Sequence, residues 1–247
     1  MSVPVFLHPA VGSTQVGDAV LLNGPEGRHA VAALRIAVGE AVDLVDGAGV
    51  RARCIVESID GRDTCTVRIA ALRTEAEPAL RFIVAQALLK GEHDERAIDL
   101  LTEVGVDEII PLQTERCVVR WDAERAQRGR ARWQAASGAA ARQSRRARWP
   151  RIADAVPVDG VAERCRRVDV ALLLDPYAQV PIGDVPLPVS GTVLIIVGPE
   201  GGLTEAESTR LVSEGAQPVR LGPEVLRGSA AGFAALAACS VASRWRT

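Results

Sequence analysis

Hydrophobic positions along the chain fall into two regimes. From residue 80 onward, short apolar runs alternate with helical patterns. Thr192–Val197 (TVLIIV) is apolar at every position after Thr192, as expected of a strand covered on both faces of a parallel sheet. Similar runs at 80–87, 107–112, 168–174 and 218–221 predict further strands. Asp94–Val104 places Ala97, Ile98, Leu101 and Val104 on one helical face, with Gly105 where a C-cap belongs. Ala123–Ala147 reads as a long arginine-rich helical region with a break near Ser137-Gly138. Thr204 and Glu207 have capping-box spacing, and a helix rich in Ala, Gly and Ser is expected from about Ser229 to Trp245. Alternating strand and helix predicts an α/β domain with a parallel sheet flanked by helices. Residues 1–75 read as mostly β instead. Gly39–Gly49 alternates into an Asp46-Gly47 turn. Arg51–Val56 and Thr64–Ile69 flank an Asp60-Gly61 turn, and Glu26–Ile36 is a short helical stretch. The polar, proline-containing Thr74–Pro78 separates a domain at 1–75 from one at 76–247.

Two glycine-proline loops stand out in the second part, Gly198-Pro199-Glu200-Gly201-Gly202 and Leu221-Gly222-Pro223-Glu224-Val225-Leu226-Arg227. Each follows an apolar run and precedes a helical pattern. Open α/β sheets bind ligands at the carboxyl ends of their strands, and glycine lets backbone amides and carbonyls approach a ligand closely. Two such loops in tandem read as two walls of one pocket; taken singly, each is also compatible with an ordinary βα turn. Neither is a P-loop, because no Gly-Lys-Ser/Thr follows, and neither is a Gly-x-Gly-x-x-Gly fingerprint.

Composition narrows the functional class. The chain has 247 residues, 48% of them hydrophobic, enough for a sizeable core. No apolar run approaches a membrane span, and Met1–Ala10 lacks the pattern of a signal peptide. Five cysteines without a Cys-x-x-Cys pair argue against a disulfide scaffold or zinc site and for a reducing, cytoplasmic setting. Three widely spaced histidines form no metal cluster. Charge is uneven: Arg116–Arg151 holds eleven arginines against Asp122 and Glu124, a net +9 in a chain of overall charge −2. Such clustering points to a polyanionic partner, and arginine both stacks on bases and grips phosphates bidentately. Lys90 is the single lysine. Trp121, Trp133 and Trp149 punctuate the basic stretch, either to stack on bases or to pack helices.

At these loops the chain resembles the bacterial 16S ribosomal RNA uridine-N3 methyltransferase family, of the SPOUT class. Four further segments carry the resemblance in the same order: His29–Arg35 with Asp46–Gly49, Gln86–Glu92 with Thr102–Val106, Thr114–Cys117, and Arg132-Trp133 with Ala139–Arg146. The resemblance implies a small N-terminal PUA-like β-barrel and a C-terminal SPOUT-type parallel sheet with a deep trefoil knot. Chain-topology rules alone argue against a knot. It implies S-adenosylmethionine as cofactor, without metal, held by Leu174, Asp175, Val197, Gly198, Pro199, Glu200, Gly201, Gly202, Leu221, Gly222, Pro223, Val225, Leu226 and Gly228.

Methyl transfer from a sulfonium is a task of alignment. N3 of uridine carries a proton, so a cation such as Arg227 would stabilise charge developing on the base. The target must be flipped or single-stranded. The expected RNA contacts are Arg35, Lys90, Arg116, Arg132, Arg142, Gln143, Arg145 and Arg146. His93 and Glu103 either face the RNA or are solvated, and His29 reads as structural. The partners implied are 16S ribosomal RNA or the small ribosomal subunit, and a second copy of the chain, through the alanine-rich terminal helix. Two departures from the family pattern stand out: Gly228 replaces the usual Thr after the Leu-Arg pair, and Glu92-His93 stands where an acidic residue and arginine are common. They leave open a SPOUT enzyme with another RNA target, or an RNA-binding assembly protein that has lost transfer activity.

Overall fold

The computed structural model describes residues 3–246. Clustering of contacts divides them into two compact units. One comprises the residues up to Glu77 together with Ala141–Trp149; the other comprises Pro78–Ala140 and the residues from Pro150 onward. A nine-residue basic segment expected in the second part thus packs with the first.

The first unit contains β1 (Val5–Leu7), β2 (Ala19–Leu22), α1 (Gly24–Arg28), β3 (Ala41–Val45), β4 (Val50–Asp60) and β5 (Thr64–Thr74). Its sheet order is β1-β3-β4-β5-β2, with β1 parallel to β3 and the other pairs antiparallel. The Asp46-Gly47 turn joins β3 to β4 as expected, and Gly47 has φ +81°, the left-handed region that glycine enters freely. β4 and β5 run longer than predicted because their ladder continues through two register shifts, which bend the ribbon. Phe6, Leu22, Leu44, Val56 and Ile69 fill one core. The helical stretch expected at 26–36 is shorter: α1 passes into a π-turn at His29–Ala33.

The returning segment is tied to this unit by arginines. Arg142 pairs with Glu26 at 2.9 Å and lies over the Trp149 ring. Arg148 donates to the Glu75 carbonyl, and Arg51 donates to the Arg145 carbonyl at 2.6 Å.

The second unit is built on β6 (Leu80–Ala87), α2 (Glu92–Val104), β7 (Glu108–Gln113), α3 (Ala123–Gln143), β8 (Arg151–Ile152), β9 (Val156–Pro157), α4 (Val158–Cys165), β10 (Val170–Leu174), β11 (Gly191–Val197), α5 (Glu205–Ser213), β12 (Ala216–Val219) and α6 (Gly228–Ala242). The last turn of α3 belongs to the first unit. All strand pairs are parallel, in the order β12-β10-β11-β6-β7-β8, with β9 also on β7.

Strand periodicity explains the apolar runs. Val193, Ile195 and Val197 enter one core layer, with Leu101 and Leu236, while Leu194 and Ile196 enter the other, with Val161 and Leu211. With both faces covered, every position from Val193 to Val197 is apolar. Gly105 caps α2 in the left-handed region at φ +103°, and Thr204 and Glu207 close both halves of the capping box.

One expectation is corrected here, and two alternatives left open by the sequence are decided. α3 continues through Ser137-Gly138, where the buried Ser137 hydroxyl meets Thr102 at 3.2 Å. Trp133 is fully buried, donates to Asp94 at 2.7 Å and packs edge-on to Trp121, so it is unavailable for stacking on a base. Finally, α6 spends its apolar face within its own unit. Ala235, Leu236 and Cys239 are buried, and Gly232 lies against Leu101 and Val197.

Candidate functional site

The strand order places the site. β10 lies between β11 and β12, so the segments leaving the carboxyl ends of these three strands are neighbours although they are far apart in sequence. They are Asp175–Tyr177, Gly198–Leu203 and Arg220–Arg227. Together they enclose a cavity of about 830 Å³, within the range of small-molecule and cofactor sites. Leu89, just beyond β6, and Arg116, just beyond β7, complete the wall.

Of the cofactor residues read from sequence, Leu174, Asp175, Val197, Gly198, Pro199, Glu200, Gly201, Gly202, Leu221, Gly222, Val225, Leu226 and Gly228 all line this cavity. Pro223 is absent from the wall. Arg227 and Arg116 are on it, as is His93 from the first turn of α2. Leu89, Tyr177, Glu205, Ser208, Ser229 and Ala231 were missed. Glu205, Ser208, Ser229 and Ala231 sit in the first turns of helices opened by the glycine loops, a position from which a first-turn rule would have found them.

The lining is rich in backbone. Gly202 needs the left-handed region, at φ +68°. Gly198 and Gly222 carry no side chain of their own over the main chain, which suits recognition of a neutral heterocyclic edge, whereas Gly201 lies under the Arg116 stem. Asp175, Glu200, Glu205 and Glu224 give the wall carboxylates, against the cations Arg116 and Arg227. The Asp175 side chain accepts from Tyr177 N at 2.9 Å and so shapes its own loop. Gly228, at the first position of α6, would bring a Cβ to 3.1 Å from a Leu89 methyl and 3.4 Å from the Gly198 carbonyl. The helix therefore starts in close contact with the opposite wall.

Arg227 caps α6 from an extended conformation (φ −63°, ψ 147°), and its carbonyl accepts from Ala230 N and Ala231 N at 2.8 and 2.9 Å. Its side chain is exposed and has no hydrogen-bond or ion-pair partner among the described residues.

Asp94 underpins the wall. Its carboxylate is buried and accepts from Leu89 N at 3.2 Å, Trp133 Nε1 at 2.7 Å and Arg132 at 2.9 Å. Burial raises its pKa above the ordinary carboxylate value, opposed by those hydrogen bonds and by the Arg132 charge. Arg132 also pairs with Glu95, so one expected RNA contact is engaged in holding α2 to α3.

The other RNA candidates are distributed over both units. Lys90 is exposed beside the cavity loops, and its amide lies 3.5 Å from Glu200 Oε1. Arg35 and Arg145 are exposed in the first unit, both at positive φ. Gln143 is exposed and Arg146 half-buried in the same unit. Glu103 is away from the cavity wall, exposed on α2 near Asp99; burial, with help from Glu103 and Glu95, raises the Asp99 pKa. An acidic face of this kind does not suit phosphate.

The thiols are all buried and free, and burial pushes Cys54 up to about 12 and Cys165 and Cys239 to about 11, so no activated nucleophile is present among these three. Among the described residues, no group of three His, Cys, Asp or Glu side chains is arranged to hold a metal ion.

Comparison with known proteins agrees with this geometry. Residues 76–240 match the model of an RNA methyltransferase domain, and residues 22–70 match an RNA methyltransferase PUA domain. The chain is 42% identical over 242 residues to the ribosomal RNA small subunit methyltransferase E of Mycobacterium tuberculosis, covering 93% of this chain and 89% of that one. It is 30% identical to the Bacillus subtilis protein of the same name, covering 89% and 88%. Among solved structures, the methyltransferase Lpg2936 of Legionella pneumophila, in complex with bound SAM, superposes with a TM-score of 0.88 at 30% identity, covering 98% and 99%. The ribosomal RNA small subunit methyltransferase E of Neisseria gonorrhoeae bound to S-adenosyl methionine gives 0.86 at 28%, covering 98% of each chain. This chain belongs to the ribosomal RNA small subunit methyltransferase E family.

Proposed function

We propose that this protein binds S-adenosylmethionine in the three-loop cavity and methylates N3 of a uridine in 16S ribosomal RNA. The observation that carries the reading is the convergence of the loops after β10, β11 and β12 on one cavity, with thirteen of the fourteen cofactor residues named from sequence on its wall. The SAM-bound relatives support the choice of cofactor. The residues present fit such a group: glycine-rich loops offer main-chain donors and acceptors, and carboxylates of Asp175, Glu200 and Glu224 suit a cationic ligand. When bound, S-adenosylmethionine supplies an electrophilic methyl group on a sulfonium. The loops' task is to orient it, and that of Arg227, exposed and unpaired at the rim, is to stabilise negative charge developing on the base as N3 loses its proton.

The same reading includes a trefoil knot in the second unit. It is supported by a chain that leaves β11, passes outside β10 as β12, and returns as α6 onto β11 and β6. It includes closure of the first unit's sheet as a PUA-like barrel, supported by its single core and its family match. A cytoplasmic homodimer completes it. Val241 in the last turn of α6 and Trp245 just beyond it, 57% and 56% exposed, remain for a second copy to cover. Light scattering at micromolar concentration should give twice the chain mass; a monomer mass would remove the dimer from this reading.

The deciding experiment offers 16S ribosomal RNA and small subunits from a strain lacking this modification, with labelled S-adenosylmethionine. N3-methyluridine in the digested product is expected. A methyl mark on another base or RNA would favour a different target, and RNA binding without transfer would favour an assembly role.

Cofactor binding has its own test. A Cβ on Gly201 or Gly222 meets neighbours at 3.5 and 3.6 Å, ordinary contact distances, and neither residue has positive φ. Gly201→Val and Gly222→Val should therefore fold. Their added methyl groups take up space at the wall, and calorimetry should find affinity for S-adenosylmethionine reduced at least about tenfold. Wild-type affinity in both variants would place the cofactor elsewhere.

A further inference from the structure

The Thr114-Glu115-Arg116-Cys117 segment follows β7, with its arginine at the cavity. Its ends are locked. Thr114 and Cys117 are both buried; Cys117 N donates to Thr114 O at 3.3 Å, Thr114 N to Cys117 Sγ at 3.4 Å, and the Thr114 hydroxyl and Cys117 thiol are 3.3 Å apart. The middle two residues project from this rigid turn onto the glycine loop. Arg116 Nη1 donates to the Gly201 carbonyl at 3.1 Å and the Leu203 carbonyl at 3.2 Å. The Arg116 stem covers Gly201, where an added Cβ would sit 3.5 Å from Arg116 Cβ. Glu115 N donates to Glu207 Oε1 at 2.7 Å, while the other oxygen of Glu207 accepts from Thr204 N in the capping box.

We infer that Thr114–Cys117 is a clip that sets the position of the Gly198–Leu203 loop, and that Arg116 is a positioning residue for the cofactor site and not a contact to RNA phosphate. A glycine-rich loop has high conformational freedom and loses it at an entropic cost when it orders. A guanidinium bonded to two of its carbonyls keeps the loop in one arrangement before ligand arrives, so the ordering cost is not taken from binding. The two carbonyls lie either side of Gly202, the residue at positive φ, where the chain reverses. Arginine suits this role because Nη1 of its planar guanidinium carries two N–H donors held in a fixed direction, and both carbonyls lie within reach of that one nitrogen. Arg120 reinforces the turn by donating to the Glu115 carbonyl at 2.7 Å.

The cofactor part of this inference rests on the proposed function; the loop part does not, and the test separates them. Hydrogen exchange of the ligand-free protein reads the loop directly, through the Gly202 amide that donates to Pro199 O at 2.9 Å. Arg116→Ala should speed exchange at residues 198–204 by about tenfold or more, while the core strand β11 stays protected. S-adenosylmethionine affinity should fall by about tenfold. Arg116→Lys should recover part of both. RNA affinity and its salt slope should match those of Arg125→Ala, which removes the same charge from an exposed site on α3 that holds no loop. Unchanged loop exchange in Arg116→Ala would overturn the inference. So would a loss of RNA affinity beyond that of Arg125→Ala with exchange and cofactor affinity intact. If the wild type bound no S-adenosylmethionine, the functional reading would fail, and the exchange result alone would decide on the clip.

Discussion

Arg227→Ala is expected to lower methyl transfer by about two to three decades, as removal of a fixed donor facing developing charge does elsewhere. Affinity for S-adenosylmethionine should stay within a few fold. The separation follows from the geometry. The main chain of Arg227 caps α6 through its carbonyl, and alanine retains that bond. Among the described residues the side chain makes no hydrogen bond or ion pair to a loop, so its loss leaves the cavity intact. Charge on the uridine base develops only as the N3 proton departs, so a cation placed there acts on the transition state more than on binding. Single-turnover methylation with saturating cofactor reads the chemical step, and calorimetry reads binding. Transfer at the wild-type rate would make the guanidinium structural and move the charge-stabilising role to another residue of the wall. Gly228→Thr is a useful companion. The backbone there accepts a side chain, but the 3.1 Å approach to Leu89 requires that residue to shift. Activity should be retained, with a small loss of stability.

The second large effect is on stability. Asp94→Ala removes the acceptor of two buried donors, Leu89 N and Trp133 Nε1, and half of the anchorage of Arg132. Each buried donor left without a partner costs about 1–3 kcal/mol, so the two together set an expected loss of about 2–6 kcal/mol in urea unfolding. Because Leu89 lines the cavity, cofactor affinity should fall as well. Asp94→Asn keeps one acceptor oxygen and should cost less. Wild type and Asp94→Asn also differ in pH dependence. The folded-state pKa of Asp94 is raised, chiefly by burial, so the native carboxyl binds its proton more tightly than the unfolded one. Its contribution to stability therefore rises as pH falls through the native pKa and declines as pH rises through it. Wild type should accordingly gain stability relative to Asp94→Asn on acidification from neutral pH. A difference independent of pH, or a loss under about 1 kcal/mol in Asp94→Ala, would show that the carboxylate is not the anchor of this wall.

How much of this was legible in sequence depended on the range of the interactions. The strands at 80–87 and 192–197, the Gly105 cap and the Thr204–Glu207 box depend on neighbours a few residues away, and local pattern identified each within a residue or two. The glycine-proline loops were recognisable as one pocket because both lie just beyond strand ends. That they meet the Asp175 loop came from resemblance alone. The order β12-β10-β11 that brings the three together is a choice among strand pairings, and no single run of residues encodes it.

Arginines were the hardest to place. Their clustering from 116 to 151 is plain in the sequence, but a guanidinium pairs equally well with RNA phosphate, a carboxylate or a carbonyl. Only tertiary structure put Arg142 on Glu26, Arg132 on Asp94 and Arg116 on the glycine loop, leaving Arg227 without a partner among the described residues. The same holds for Trp133, whose spacing suits stacking or packing until the sheet and α2 close over it. The sequence by itself determined that a mostly β segment precedes an α/β one, placed the longer strands and marked the two glycine-proline loops, because backbone conformation and hydrophobic periodicity are local. Tertiary structure alone decided which loops share a wall and which charges remain free, because such contacts join distant residues, Arg142 and Glu26 being 116 positions apart, and the chain must close before their partners exist.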